Sequence, residues 1–219
     1  MSFSFDYDCK KCPRLYDFLN KKKIDFDNYH MLPVDSFGDL QGNLLIVGLA
    51  PGFHGANKTN RPFTGDYAGN ILYETLYELK YTNSPNSKSQ NDGLMIKNAR
   101  ITNAVRCCPP QNKPSSEEIR NCNGYLVEEI NNIDKGNKFC ILTLGRIAHE
   151  AVVLALGLKR KDFIFKHGFI HQYKTNKYIV NSYHTSKYNV YTKRLTYEMF
   201  YKLLCKVSKI INHVVWVTY

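Results

Sequence analysis

Four short apolar runs, each followed by a stretch with a helical period or a loop leading to one, constrain this chain to an open sheet with helices packed on it. The runs are Leu44 to Leu49 (LLIVGL), Arg100 to Arg106 (RITNAVR), Phe139 to Leu144 (FCILTL) and Tyr178 to Val180 (YIV). After the first, Ile71, Leu72, Thr75, Leu76 and Leu79 fall on one face of a helix. After the second, Pro114 and Ser115 open a helix whose Ser115-x-x-Glu118 spacing fits a capping box. A third helix runs from about Arg146 to a stop at Gly157, and a last one from about Thr196 to Ile211. Strand and helix alternating four times argue a doubly wound α/β sheet. In such a sheet ligands bind beyond the carboxyl ends of the strands, so the segments after Leu49, Arg106 and Val180 should meet in one crevice. The stretch FIFKHGFIHQYKTNKYIV reads as a hairpin and complicates the last strand. The polar, turn-rich Asn83 to Asp92 (NSPNSKSQND) reads as an exposed loop.

The richest of these segments is Gly48 to Gly69, GLAPGFHGANKTNRPFTGDYAG. It is longer than an ordinary strand-to-helix join, and core packing does not require so much Gly, Pro and polar chemistry in one connection. Part of it, Gly52 to Thr59, nearly spells G-x-x-x-x-G-K-[ST], a phosphate-binding loop. Asn57 stands where the second Gly is needed for close backbone approach to phosphate, and none of the predicted strands ends in the Asp that would hold Mg²⁺.

Thirty Lys plus Arg against nineteen Asp plus Glu leave a formal charge of +11 over 219 residues. That balance favours a polyanionic partner such as nucleic acid, or else is a solvated basic surface. The length suits one domain with a full core. No stretch approaches the roughly 18 apolar residues of a membrane span, and the opening MSFSFDYDCKKC has no apolar signal core. The expectation is a cytoplasmic monomer with no membrane partner.

Seven cysteines are present, an odd number in a chain without an export signal, so metal ligands or buried thiols are expected rather than a disulfide framework. Cys9 and Cys12 form a C-x2-C pair, and Cys107 and Cys122 flank a Pro-rich loop and a helix start. These four thiolates could close a zinc site, which more often uses two C-x2-C knuckles, or an iron–sulfur cluster; alternatively they are buried thiols with one chance pair. Cys108 can substitute for Cys107 on spacing alone. Cys140 and Cys205 fall where a free Cys acts as a small hydrophobe.

Four stretches together resemble one family. GLAPGFHGANKTNRPFTGDYAG (48 to 69), NAVRCCPPQNKP (103 to 114), LGRIAHEA (144 to 151) and SYHTSKYN with TKRLT (182 to 196) are similar, in order, to the iron–sulfur uracil-DNA glycosylases, and within them to the type 5 branch. The resemblance implies a three-layer αβα sandwich around a four-stranded parallel sheet, a [4Fe–4S] cluster on Cys9, Cys12, Cys107 and Cys122, and removal of deaminated bases from DNA. It also implies a base pocket built on Gly48, Ala50, Pro51, Gly52, His54, Phe63 and Gly65. The loop after His184 implies DNA contacts from Ser186, Lys187, Tyr188 and Arg194, entering the minor groove or touching phosphate.

The chemistry of these residues can be argued beside the resemblance. A glycosylase must take the base out of the stack, and breaking the N-glycosidic bond puts positive charge on the sugar and negative charge on the base. Asp66 is the one carboxylate of the rich loop and can sit near the sugar or orient water; it is also placed to cap the following helix. Phe63 can stack on a flipped base or pack the loop. Asn103 offers a donor and an acceptor to a base edge, or is an edge asparagine. His184 can support charge on the leaving base or serve structure. Three departures from the family stand out. Leu49 to Gly52 lack the polar water-activating residue of related branches, His184 is followed by Thr185-Ser186 rather than Pro-Ser, and Lys58 and Asn60 replace the usual Arg and Gly. The alternatives are a non-catalytic iron–sulfur or DNA-binding module and a nucleotide-binding enzyme.

Overall fold

The computed structural model describes residues 6–136 and 138–212. Residues 1–5, part of the opening stretch scanned above for a signal core, lie outside them. Strand β2 (Leu44–Gly48) is buried along its whole length, because both its edges and both its faces are covered. It pairs in parallel with β3 (Ala99–Asn103) on one edge and with β4 (Phe139–Leu144) on the other, and β4 pairs in parallel with β6 (Lys177–Ser182). Alternate side chains serve opposite layers, as the two-residue period of a strand requires. Leu44 and Ile46 pack under Leu72, Leu76, Phe200 and Leu204 of α3 (Tyr67–Glu78) and α7 (Tyr197–Ile210). Leu45 and Val47 pack under Leu126, Ile130, Ala148 and Val152 of α4 (Ser116–Ile133) and α5 (Arg146–Ala155). Fully burying one such side chain stabilises by roughly 1.5–3 kcal/mol.

The three-layer αβα architecture is therefore present, but the sheet is larger than four parallel strands. It has six, in the order β1-β3-β2-β4-β6-β5, and it is mixed. Its parallel core is flanked by β1 (Phe37–Gly38), antiparallel to β3, and by β5 (Ile170–Lys174), antiparallel to β6. The two-residue β1 carries no period to read. β5 is the first arm of the anticipated hairpin, with a register shift between Gln172 and Lys174; its mostly exposed polar residues blunt an open edge.

The anticipated helices form with small shifts of boundary, and Ser115 with Glu118 makes the complete capping box at the start of α4. Helix α1 (Pro13–Lys23) has no counterpart in the sequence expectations. It buries Leu15 and Leu19 and ends in Lys21, Lys22 and Lys23, which suit the negative pole of the helix. The short helices α2 (Ala56–Thr59) and α6 (Lys187–Tyr191) lie in the two loops that carry most of the site candidates. No helix among the described residues is long and apolar enough to cross a membrane.

A buried ion group ties α4 to the sheet. Glu129 accepts from Arg100 of β3, from Arg106 at 2.6 Å and from Ser36 Oγ at 2.7 Å. Arg106 also donates to the Val34 carbonyl at 3.3 Å. Burial alone would raise the Glu129 pKa, but the charges of Arg106 and Arg100 outweigh it and hold the carboxyl below its usual value. Removing one member leaves buried charge uncompensated. We expect Glu129→Ala to lower the unfolding free energy by about 3–5 kcal/mol, read from the midpoint and slope of a urea titration; a loss below about 1 kcal/mol would contradict the role given to the group.

Candidate active site

From β2 the chain runs through α3 to β3 on one side, then crosses through α4 to β4 on the other. The crevice left at that reversal is a cavity of about 550 Å³ at the carboxyl ends of the parallel strands. The loops after β2, β3, β4 and β6 all reach it, so the anticipated convergence occurs. Ala50, Gly52, Phe63, Asp66, Asn103, His184, Ser186 and Lys187 line it together.

Asp66 holds two positions at once. As N-cap of α3 its Oδ1 accepts from the Gly69 N–H at 3.2 Å, while Oδ2 faces Gly52 and Gly55 closely enough that a Cβ on Gly55 would lie 2.7 Å away. Burial raises its pKa, against the opposing Gly69 and Ala68 amides. Among the described residues that line the cavity it is the single carboxylate. Gly48, the last residue of β2, lies beneath Asn103 and Phe63, and a Cβ there would stand 2.4 Å from Asn103 Oδ1 and 2.7 Å from the Phe63 ring. The site needs glycine at that point. Asn103 is 4% exposed, and its Oδ1 has no hydrogen-bond partner. A buried acceptor left unpaired is costly, and its position in the cavity wall marks it as an acceptor for a ligand.

Phe63 adopts a left-handed φ of +57°, a strain that persists only when its surroundings over-determine it. Those surroundings reach into the Asn83 to Asp92 segment, which therefore is not merely an exposed loop. Arg61 donates to Asp92 Oδ1 at 2.7 Å, to Ser87 Oγ at 3.1 Å and to the Gln90 carbonyl at 2.6 Å. Thr64 and Ser87 share a hydroxyl bond of 2.6 Å, and Tyr73 donates to the Pro62 carbonyl at 2.8 Å.

His184 stacks on Phe63, with ring centroids 5.9 Å apart and an interplanar angle of 29°. Burial pushes the pKa of its imidazole down to about 4, so it is neutral at physiological pH. The following Thr185 is fully buried and donates to the Ala68 carbonyl at 2.8 Å, which pins the loop without the usual proline. Ser186 caps α6 through Asn189 N–H.

Other candidates fall elsewhere. Pro51 and Gly65 are not in the cavity wall, although both belong to the loop that forms it. His54 is exposed and turned toward Tyr29, whose hydroxyl lies 2.9 Å from Nδ1. Tyr188 is 70% exposed, and the Arg194 guanidinium lies 4.5 Å from the Tyr183 ring centroid. Lys58, the lysine of the near phosphate-loop match, holds its ammonium 5.2 Å from the Tyr29 ring, while Thr59 Oγ1 donates back to the Gly55 carbonyl. That arrangement offers no phosphate cradle. Tyr67, Asn112, Gly145 and Arg146 also line the cavity. Arg146 was legible as the first helical residue after a strand, inside the LGRIAHEA stretch; Tyr67 and Asn112 also lie inside the stretches that carry the family resemblance but were not singled out.

Cys9, Cys12, Cys107 and Cys122 line one small pocket. The Arg106 N–H donates to Cys122 Sγ at 3.4 Å, and the Tyr125 hydroxyl to Cys9 Sγ at 3.5 Å. Burial, then the neighbouring Cys122, Cys9 and Cys12, pushes the Cys107 thiol up. Among the described residues no three His, Cys, Asp or Glu side chains close on a point as a single ion requires. Cys108 and Cys140 are buried and Cys205 half-buried.

The family model of the Uracil DNA glycosylase superfamily matches residues 36–208. The chain belongs to that superfamily. It is 37% identical over 207 residues to a type-5 uracil-DNA glycosylase of Thermus thermophilus, covering 92% of this chain and 93% of the relative. It is 36% identical to a type-5 enzyme of Pyrobaculum aerophilum, covering 91% and 88%. A type-4 uracil-DNA glycosylase of Pyrobaculum aerophilum is 33% identical over 150 residues, 68% of this chain and 61% of its own. Asn60, where the resemblance leads one to expect Gly, has φ +52° and ends α2 in the left-handed conformation. Asn tolerates this conformation better than other residues that carry a Cβ.

A folded-state pKa below the unfolded value of about 6.5 means that the unfolded chain binds the extra proton between those two values. His184 therefore withdraws stability as pH falls from about 6.5 toward 4. In an NMR titration the His184 ring should remain neutral down to about pH 4; a midpoint near 6.5 would show an open, hydrated loop instead. Thr185→Val should cost about 0.5–1.5 kcal/mol by removing the hydrogen bond that ties this loop to the first turn of α3, measured by thermal unfolding.

Proposed function

We propose that the protein is a DNA-repair glycosylase that flips uracil out of DNA, hydrolyses its N-glycosidic bond and leaves an abasic site. The observation that carries this reading is one cavity bordered by a single carboxylate, a neutral imidazole and an unpartnered carboxamide oxygen. The base enters the cavity, where Asn103 Oδ1 accepts its ring N–H and the Asn103 amide donates to the adjacent carbonyl. Phe63 bounds the apolar side. As the C1′–N bond breaks, its electron pair leaves with the base. The neutral His184 donates a hydrogen bond to the base oxygen that gains charge. Asp66, whose raised pKa suits a general base, orients water toward C1′, accepts its proton and faces the positive charge of the sugar. Leu49, Ala50, Pro51 and Gly52 supply no polar side chain, so this work falls to Asp66.

Uracil and hypoxanthine present the same adjacent N–H and C=O groups to Asn103, and a cavity of about 550 Å³ is within the usual range for ligands larger than either. We therefore include hypoxanthine and other deaminated bases among the substrates. Lys187 at the cavity and the excess of 11 positive charges favour the DNA backbone, with Ser186, Tyr188 and Arg194 in the same loop. We propose that it acts as a monomer. We propose hydrolysis rather than a Schiff-base route, with Asp66 acting on water and the exposed Lys187 left to the DNA backbone.

The four thiols around one pocket, with two hydrogen bonds aimed at their sulfurs, fit a [4Fe–4S] cluster, in which each iron takes one Cys. A polynuclear group also accounts for ligands that do not close on one point. Bound there, the cluster would cross-link the segment before α1 to the β3–α4 loop and to α4, a structural task remote from the base.

Purified protein should cut end-labelled duplexes carrying U opposite G, or hypoxanthine opposite T, only after alkali, and Asp66→Ala should lose at least about 10²-fold in rate. Activity retained in that variant would remove Asp66 from the chemistry, and a borohydride-trapped adduct would overturn the hydrolytic route. Cys12→Ser should lower both iron content and the denaturant midpoint; unchanged stability would deny the cluster its structural task.

A further inference from the structure

Behind the loop that walls the base cavity lies a second cleft, of about 490 Å³, which the chemistry above leaves unused. The two are neighbours. Gly52 lines the first, the adjoining Phe53 and His54 line the second, and Asn112 stands in the walls of both. The second cleft is aromatic. Phe18 and Phe26 approach Phe53 with centroids 6.1 and 5.1 Å apart, and the His54 ring stands edge-on to Phe53 at 5.0 Å and 86°. The Tyr29 hydroxyl holds the imidazole in place at 2.9 Å. Phe18, Phe26 and Phe53 pack on the buried Leu19, Met31 and Cys108 yet stay half-buried, and His54 is exposed. One cation lines it, Lys22 from the basic last turn of α1. Lys58 lies outside the wall, its ammonium 5.2 Å from the ring of the Tyr29 that holds His54.

Half-exposed aromatic rings beside a lysine are the composition of a single-strand binding groove, in which bases stack and the backbone is neutralised. We propose that this cleft receives an unpaired base of the damaged strand, next to the flipped nucleotide, so that the enzyme engages two successive bases on single-stranded DNA. The inference rests on the glycosylase reading and specifies its substrate form. In a duplex the neighbouring base stays paired and stacked, and filling the cleft would require unpairing a second nucleotide. Single-stranded DNA meets no such cost, so the cleft tightens binding of the single strand selectively. His54 and Phe53 serve the neighbouring base rather than the excised one.

The test is uracil release from a single strand and from a duplex of the same sequence by the wild type, Phe26→Ala and Lys22→Glu, with circular dichroism to confirm folding. Each variant should raise KM on the single strand at least fivefold while leaving kcat, and KM on the duplex, within twofold. An abasic residue in place of the neighbouring base should raise KM for the wild type and not for Phe26→Ala. 2-Aminopurine at that neighbouring position should be quenched on binding to the wild type and not to Lys22→Glu. Equal KM changes on both substrate forms, or no change on either, would overturn the proposal. If Phe26→Ala fails to fold, Lys22→Glu and the abasic substrate with the wild type decide the matter. Absence of uracil release from any substrate would sink the glycosylase reading, and the fluorescence change would then still report separately on whether the cleft takes a base.

Discussion

Strand β2 is paired on both edges and covered on both faces, so its carboxyl end is the place where the interior can open to a ligand. The base cavity is arranged around that end. The chain leaves β2 for β3 and later returns past it to β4, and the two departures draw the following loops apart. Gly48 keeps the opening free at its floor, because any side chain would collide with Asn103 and Phe63. The layers that bury β2 are thus the same layers that aim Asp66, Asn103 and His184 at one volume.

The cavity accepts local penalties that the rest of the core avoids. Asn103 keeps a buried oxygen without a partner, Phe63 holds a left-handed backbone, and His184 sits deep enough to resist protonation. Each feature is unfavourable alone and persists because stronger interactions fix its neighbours. The buried Glu129 group fixes α4 against β3 next to Asn103, and Thr185 fixes the His184 loop against α3. Preorganisation of this kind is what electrostatic catalysis requires, since the groups need not move when charge develops.

The order of strands and helices was legible because the four central strands are continuous apolar runs and their helices have clear periods or caps. The edge strands were not, since a two-residue β1 is too short for a period and β5 faces solvent with polar residues. Helix α1 carried a signal that the sequence expectations passed over, with Leu15, Phe18 and Leu19 at i, i+3 and i+4 behind a proline at the first helical position. Within the site, Asp66 and Asn103 could be read from motif context, and their convergence followed from the strand-end rule. His54 could not be placed that way, because a loop carries no period and its direction is set by Tyr29, 25 residues away. The near match to a phosphate loop failed for the same reason: spacing says nothing of where Lys58 points.

The bond between Arg61 and Asp92 changes the meaning of a segment that looks dispensable. Burial works against the charge on Asp92, but Arg61 and the amides of Lys88, Leu94 and Ser89 prevail and hold its pKa well below the usual range. The stretch from 83 to 92 is thereby a brace for the floor of the cavity, although it touches no base. Its length should then be as tightly constrained as that of a catalytic loop, and a single inserted residue there would act as an active-site mutation delivered from the far side of the wall.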